Sequence, residues 1–360
     1  MKLITSVRSL WRRPLKQPNV NLALLQLPVE LLDYIATFVA PADKVLLSQT
    51  CRSMRVCLSK YSSTAHLSCA EYFAYLAGIA RQEPKQWVCD FSMALHPIKK
   101  RDKPTNRLHP CSCPVSILGD SRRRTRLQNP QHIGIEHHHV QLALKYTRLQ
   151  QRKYDSYLKT LLKPYPKKPF KTLGQGCVTH EARYSAYPRI ATGSDGNPRF
   201  LLYSVWEYFA GGRNIIVHNL GRQRICPHLQ FRGDDRNCYS AYKNNLFQTF
   251  RWALCPEYAG AEWRNACPRC ATDLSVVLCG RTLYLQVWQD FGPEGSPLDL
   301  AWRSQNIRAG LDGVDNTETT GPTLYHEPGS VEKLYRPAPY VVPLPKHRAD
   351  WYMHPQKPSP

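Results

Sequence analysis

The segment from residue 24 to residue 61 constrains the fold most strongly, because its apolar residues recur at helical spacing and its prolines mark helix starts. One amphipathic helix face is predicted by residues separated by four, four and three positions: Leu27, Leu31, Ile35 and Phe38. Pro28 fits the first turn of that helix, and Pro41 interrupts the pattern. Two further short helical pieces are predicted by the apolar residues Val45, Leu46, Leu47, Met54, Val56 and Leu58. The segment therefore predicts a module of three short helices.

The same segment carries typed residues in a characteristic order, which runs Leu27-Pro28-x-Glu30-Leu31-Leu32, Ile35, Val39, Asp43, Leu46, Leu47, Ser48 and Cys51-Arg52-x-Met54. This order resembles the F-box, a three-helix module that docks onto a Skp-family adaptor. The resemblance implies a substrate-recognition subunit of an SCF-type ubiquitin ligase, which the adaptor joins to a cullin. It implies adaptor contacts by Leu27, Pro28, Leu31, Ile35, Leu46, Leu47 and Met54. It also implies a non-catalytic role, because other subunits transfer the ubiquitin.

The rest of the chain predicts a larger domain of mixed composition. Helical spacing is found over residues 65–80 and again over 140–162. Beyond Pro169 three strand-like runs begin at Arg199, Asn214 and Arg281, and turn residues separate them. The expected fold class is α+β. Four segments are predicted, which are a basic arm (1–23), the three-helix module (24–61), a substrate-recognition domain (62–304) and a Pro-rich tail without stable structure (305–360).

Two close pairs of metal-ligand residue types lie in the larger domain, at Cys226-Pro227-His228 and at Cys267-Pro268-Arg269-Cys270. Zinc prefers four tetrahedral sulfur or imidazole ligands, and a structural site often takes one pair from each of two segments. Cys226, His228, Cys267 and Cys270 are therefore a candidate zinc site. Cys238 or Cys255 could replace one of these ligands, and buried reduced cysteines are the alternative reading.

A second candidate site consists of Cys89, His96, Cys111 and Cys113. These residues alternate with prolines in an irregular segment, where a metal would contribute most to local structure.

The larger domain also resembles a family of F-box proteins from filamentous fungi. The residues that carry this resemblance are Trp87-Val88-Cys89, Leu95-His96-Pro97, Ile225-Cys226-Pro227-His228-Leu229, Cys267-x-x-Cys270-x-Thr272-Asp273 and Val287-Trp288-Gln289-Asp290. Ser92 stands where that family usually has a second cysteine. The resemblance implies a C-terminal domain that follows an F-box, without implying which protein it recognises.

The net charge of +22 leaves other functions open. The range from Lys145 to Lys171 contains nine Lys or Arg and one acid, Asp155. Residues 122–126 contain four more arginines. A nucleic-acid-binding zinc protein is therefore the alternative function. A third hypothesis is an adaptor-bound scaffold that acts outside a ligase.

No stretch reaches the roughly 18–20 apolar residues that a membrane-spanning helix needs. The 13 cysteines are expected to be reduced, and a cytoplasmic or nuclear protein is expected. No arrangement of Ser, Cys, His or acidic residues predicts a catalytic site.

Overall fold

The computed structural model describes residues 23–90, 92–99, 103–104, 135–171, 181–210, 214–232, 246–305, 322–336 and 350–351. Helices and a mainly antiparallel sheet make up these parts of the chain, so the α+β prediction is confirmed. The chain divides into two compact units, with the boundary between Ile79 and Ala80.

The first unit contains short helices where the apolar spacing predicts them. They are α1 (Val29–Thr37), α2 (Pro41–Ser48), α3 (Arg52–Cys57) and α4 (Cys69–Gln82), the last of which crosses the unit boundary. Pro28 caps the N-terminus of α1, and Pro41 is the first residue of α2, where a missing backbone N–H leaves no intrahelical bond unmade. The thiol of Cys51 accepts a hydrogen bond from the backbone N–H of Met54 at 3.5 Å, which caps α3.

The core of this unit is built from one side of α1, and the side that carries the helically spaced Leu31, Ile35 and Phe38 lies on the surface. Leu32 and Ala36 are buried against Met54 and Leu58. Leu31, Ile35 and Phe38 are instead exposed, at 48%, 39% and 75%. The helix thus carries apolar residues on two sides, and only the side with Leu32 and Ala36 is buried.

Helix α4 packs on the same unit through residues 75 and 78. The hydroxyl of Tyr75 lies 3.1 Å from Gln49 Nε2, and a Cβ atom at Gly78 would overlap Cδ1 of Leu46. Glycine at this position allows the close approach of Leu46 to α4. The first compact unit therefore extends beyond residue 61.

The second unit is organised around a seven-stranded sheet in the order β11-β8-β9-β10-β5-β4-β3. Its strands are β3 (Tyr165–Lys171), β4 (Glu181–Thr192), β5 (Pro198–Phe209), β8 (Glu262–Ala266), β9 (Thr272–Cys279), β10 (Thr282–Pro293) and β11 (Asp350–Trp351). All pairings are antiparallel except that of β11 with β8. Two small hairpins accompany it, β1 (Gln86–Cys89) with β2 (Ala94–Pro97) and β6 (Arg222–Arg224) with β7 (Gln230–Arg232).

Strands β5 and β10 confirm the runs predicted from Arg199 and Arg281. The turn before β5 also forms where predicted, with Gly196 at a φ of +75° and the Asp195 carboxylate accepting from the N–H of Asn197. The run from Asn214 is not a strand. Ile215 and Leu220 are buried, but the backbone between them turns as a 3₁₀ helix at Val217–Asn219.

The helices of the second unit are α5 (His137–Leu149), α6 (Arg152–Leu161), α7 (Leu246–Ala253), α8 (Leu300–Gln305) and α9 (Ser330–Tyr335). The single helix predicted for residues 140–162 is broken at Gln150, which adopts the left-handed conformation with φ +47°. His137, His138 and His139 begin α5 and are buried. Apolar residues of α5 and α7 join the inward residues of β4, β5, β9 and β10 in one core.

Residues 322–336 pack on the sheet, although the sequence predicts an unattached tail beyond residue 305. The buried carboxylate of Asp273, on β9, accepts hydrogen bonds from the backbone N–H groups of Gly329, Val331 and Glu332 at 2.9–3.0 Å. Val331 is buried beside Trp288. One acid therefore fixes the start of α9, which the composition of the segment does not reveal.

No helix in the described ranges combines the length and hydropathy of a transmembrane span.

Candidate metal centre

The two predicted pairs of ligand residues lie in the turns of two β-hairpins. Cys226 and His228 stand between β6 and β7, and Cys267 and Cys270 stand between β8 and β9. The sheet and the small hairpin bring together residues that are about forty positions apart in the chain. Hairpin turns are suited to this, because two side chains two or three residues apart can point to one side.

The four ligand atoms lie within 4.8 Å of one another, and this cluster could hold a metal ion. Cys226, Cys267 and Cys270 are buried, and His228 is half-buried. The Nδ1 atom of His228 lies 3.7 Å from Sγ of Cys267. Three thiols and one imidazole form the kind of donor set that soft or borderline cations prefer.

Backbone N–H groups in both turns are directed at sulfur. The N–H of Leu229 donates to Sγ of Cys226 at 3.2 Å, and the N–H of Arg269 donates to Sγ of Cys267 at 3.4 Å. These bonds stabilise negative charge on the two sulfurs and fix the turns. Each turn is therefore stabilised by a hydrogen bond to the sulfur of one of its own cysteines.

The cysteines of the cluster have pKa values that differ in direction from the ordinary value of a thiol. Burial raises the pKa of the Cys226 thiol well above its ordinary value. The pKa of Cys267 lies far below its ordinary value, because the thiols of Cys226 and Cys270 hydrogen-bond to its sulfur. Metal binding would replace the protons on these sulfurs by a cation.

The second predicted set is only partly within the described residues. Cys89 is buried on β1, and His96 lies on the paired strand β2 with Nε2 2.8 Å from Oγ of Ser92. Cys111 and Cys113 lie outside the described residues, so this site stays a prediction. Cys238 also lies outside them, and Cys255 is not one of the four clustered residues.

The residues predicted to contact an adaptor differ in exposure. Pro28, Leu31 and Ile35 are exposed, whereas Met54 is buried. Leu27, Leu46 and Leu47 are half-buried. The sequence pattern groups these residues together, and the structure separates those on the surface from those in or beside the core.

Two groups of residues were not predicted as parts of a site. Tyr34 extends the exposed apolar side of α1, with 62% of its surface accessible and its ring 5.2 Å from that of Phe38. Thr272, Gln289 and Gln305 form a buried polar chain beside the cysteines. Thr272 and Gln289 fall within the motif strings that resemble the fungal family, which is the only signal for them in the sequence.

Comparisons with known proteins do not assign the chain to a family, because no family model, curated protein or solved structure matches it.

Proposed function

We propose that this chain is the substrate receptor of an SCF-type ubiquitin ligase, which binds a Skp-family adaptor, and through it a cullin, with its N-terminal helices. The observation that carries the proposal is the exposed apolar side of α1, which we call the α1 surface: Leu31, Tyr34, Ile35 and Phe38. These residues belong to the segment that resembles an F-box.

The α1 surface has the properties of a helix that is recognised in a groove. Its members recur at helical spacing, and Tyr34 and Phe38 meet edge to face with an interplanar angle of 84°. Burial of one such side chain contributes about 1.5–3 kcal/mol, so a partner that covers all four would gain a substantial part of its affinity here. Exposed apolar residues that are adjacent, rather than scattered, mark interaction sites.

The second half of the proposal is that the larger domain holds a protein target near the transferring enzyme. The seven-stranded sheet provides a rigid framework for such a surface. Receptor function then requires proximity alone, and no catalytic residue is needed.

Affinity purification followed by mass spectrometry tests the proposal. The wild-type chain is compared with Leu31→Asp/Ile35→Asp and with Leu300→Asp, a matched control because Leu300 is 44% exposed in the second unit. Adaptor and cullin should disappear from the double variant alone, and protein targets should persist. Loss of adaptor in the control as well, or its retention in the double variant, would contradict the proposed surface. Failure of any bound protein to be ubiquitylated would favour a scaffold outside a ligase.

We also infer that the cluster of Cys226, His228, Cys267 and Cys270 binds a structural zinc ion. Support comes from the donor set, the burial of its three cysteines and the convergence of two hairpin turns. Elemental analysis should find one zinc ion lost in Cys226→Ser and kept in Cys279→Ser, a control thiol on β9 outside the cluster. An equal zinc content in the two variants would exclude these ligands.

The alternative of nucleic-acid binding is favoured by one surface. On α6 the residues Arg152, Lys153 and Lys159 are exposed, and Tyr157 and Leu161 are buried on the other side. Binding through such residues should weaken steeply with salt, because contacts to phosphate release counterions. Absence of salt-dependent binding to duplex or single-stranded probes would remove this alternative.

A further inference from the structure

Three buried polar side chains connect the two hairpins that carry the metal-ligand residues. Thr272 begins β9, Gln289 lies on β10, and Gln305 ends α8, with exposures of 0%, 9% and 6%. A buried amide or hydroxyl that lacks hydrogen-bond partners is destabilising in proteins. The hydrogen bonds that these residues make therefore determine how they are oriented.

The orientation of the Gln289 amide follows from its contact with the first hairpin. Its Nε2 lies 3.3 Å from the backbone oxygen of Ile225 and 3.0 Å from Oε1 of Gln305. A backbone oxygen can only accept, so the amide nitrogen must face Ile225. The oxygen of Gln305 then faces Gln289.

The second hairpin gives the same orientation of Gln305 independently. Nε2 of Gln305 lies 2.9 Å from the backbone oxygen of Ala271 and 3.0 Å from Oγ1 of Thr272. Because the oxygen of Ala271 also accepts only, the amide nitrogen must face it. The contacts at Ile225 and at Ala271 therefore require the same orientation of the Gln305 amide.

These bonds fix the direction of the Thr272 hydroxyl. Its oxygen accepts from Gln305, which leaves its own hydrogen to be donated. Sγ of Cys270 lies 3.2 Å away, and the competing acceptor, Oε1 of Gln305, lies 3.3 Å away and already accepts from Gln289. An anionic sulfur is the stronger acceptor, so the hydroxyl donates to Cys270 when that residue is a thiolate.

We propose that Thr272, Gln289 and Gln305 are positioning residues of the metal centre. Together these three residues form a hydrogen-bonded relay, which holds the carbonyl of Ile225, next to Cys226, and the carbonyl of Ala271, next to Cys270. It thereby sets the separation of the two hairpins and supplies one O–H···S bond to a ligand. The inference rests on the proposed metal binding, and it deepens that proposal by naming the groups that surround the ligands.

The test uses the full chain loaded with Co²⁺, whose sulfur-to-metal charge-transfer absorption reports on thiolate ligands, and with Zn²⁺ in competition with a chelator. Thr272→Val removes the hydroxyl and keeps the shape, and Thr272→Ser keeps the hydroxyl. We expect Thr272→Val to weaken metal binding about 10–100-fold and to shift the charge-transfer band, and Thr272→Ser to restore both. Ser204→Ala is the control, because that buried hydroxyl bonds Tyr184 at 3.2 Å and should leave the metal unaffected.

The outcomes separate this inference from the metal proposal. If wild-type protein binds neither Co²⁺ nor Zn²⁺, the metal proposal fails and the relay with it. If wild type binds both, and Thr272→Val shows the same affinity and spectrum, the relay alone is wrong. Should Thr272→Val not fold, Gln305→Met decides in the same assay, because it keeps the hydroxyl and removes its orienting partner. Unchanged affinity and spectrum in that variant overturn the inference.

Discussion

The two units of this chain differ in which side chains they expose and which they bury. The helical unit leaves apolar side chains exposed on α1, whereas the sheet unit buries polar ones, among them Asp273, Gln305 and Lys145. An exposed apolar side chain gains free energy only when a partner covers it, and a buried polar one must be bonded inside its own unit. The helical unit therefore keeps apolar surface that the proposed adaptor would cover, and the sheet unit is organised around internal polar contacts.

The largest expected effect is specific to the sheet unit. Removing the proposed zinc ion with a chelator should abolish the cooperative unfolding transition of this unit, because structural zinc contributes a binding free energy of about 10–16 kcal/mol in small domains. Adaptor capture through α1 should persist in the same sample. Calorimetry and adaptor pull-down on one chelated preparation measure both. Loss of both properties together would show that the two units do not behave independently.

The next effect concerns Asp273, the buried acid that fixes residues 322–336. Asp273→Asn replaces one accepting oxygen by a donor that faces backbone N–H groups, and we expect a loss of about 3–5 kcal/mol in the free energy of unfolding. Urea denaturation measures this loss, and limited proteolysis should cut near residue 326. Asp195→Asn is the control, since Asp195 lies in an exposed turn and the change should cost less than about 0.5 kcal/mol. Equal values for the two variants would remove the role given to Asp273.

Two neighbouring leucines on α1 test whether the helical unit buries one side of this helix and exposes the other. Leu32→Ala should lower the free energy of unfolding by about 2–5 kcal/mol, because Leu32 is only 6% exposed. Leu31→Ala should change it by less than about 0.5 kcal/mol and should still weaken adaptor binding. Denaturation curves and adaptor titrations of both variants provide the measurement. A reversed order of stability would place Leu31 in the core.

The smallest effect is the pH dependence due to Lys145. Its ammonium group donates to the backbone oxygens of Glu83 and Gln86 at 3.1 and 2.6 Å, and burial lowers its pKa to about 8. Between pH 8 and 10 the folded chain loses a proton that the unfolded chain retains. The free energy of unfolding of the wild type should therefore rise with pH relative to Lys145→Met, by roughly 1–3 kcal/mol. Parallel pH profiles for the two proteins would contradict the lowered pKa.

Local sequence patterns predicted the elements that depend on local physics. Pro28 located the start of α1, Pro41 located the break after it, and the β-branched and aromatic runs located β5 and β10. The spacing alone could not decide which side of α1 is buried, because Leu31 and Leu32 are equally apolar and only the packing around Ala36 places Leu32 in the core. The helix end at Gln150 could not be predicted, because no glycine or proline stands at that position.

The candidate metal centre was partly predictable for a similar reason. Close spacing identified Cys226 with His228 and Cys267 with Cys270, because each pair belongs to one turn. That the two turns meet depends on the sheet, which spacing does not describe. Gln305, which bonds Thr272, and the backbone N–H groups that bond Asp273 lie 33 to 59 residues away in the chain, so no local pattern predicts these bonds.

A calorimetric titration of the purified chain with a purified Skp-family adaptor measures the proposed adaptor binding most directly. A one-to-one complex is expected for the wild type and for Leu300→Asp. No detectable binding is expected for Leu31→Asp/Ile35→Asp, whose folding is checked by circular dichroism. Absence of binding by the wild type, or equal binding by the double variant, would contradict the assignment of the α1 surface to an adaptor.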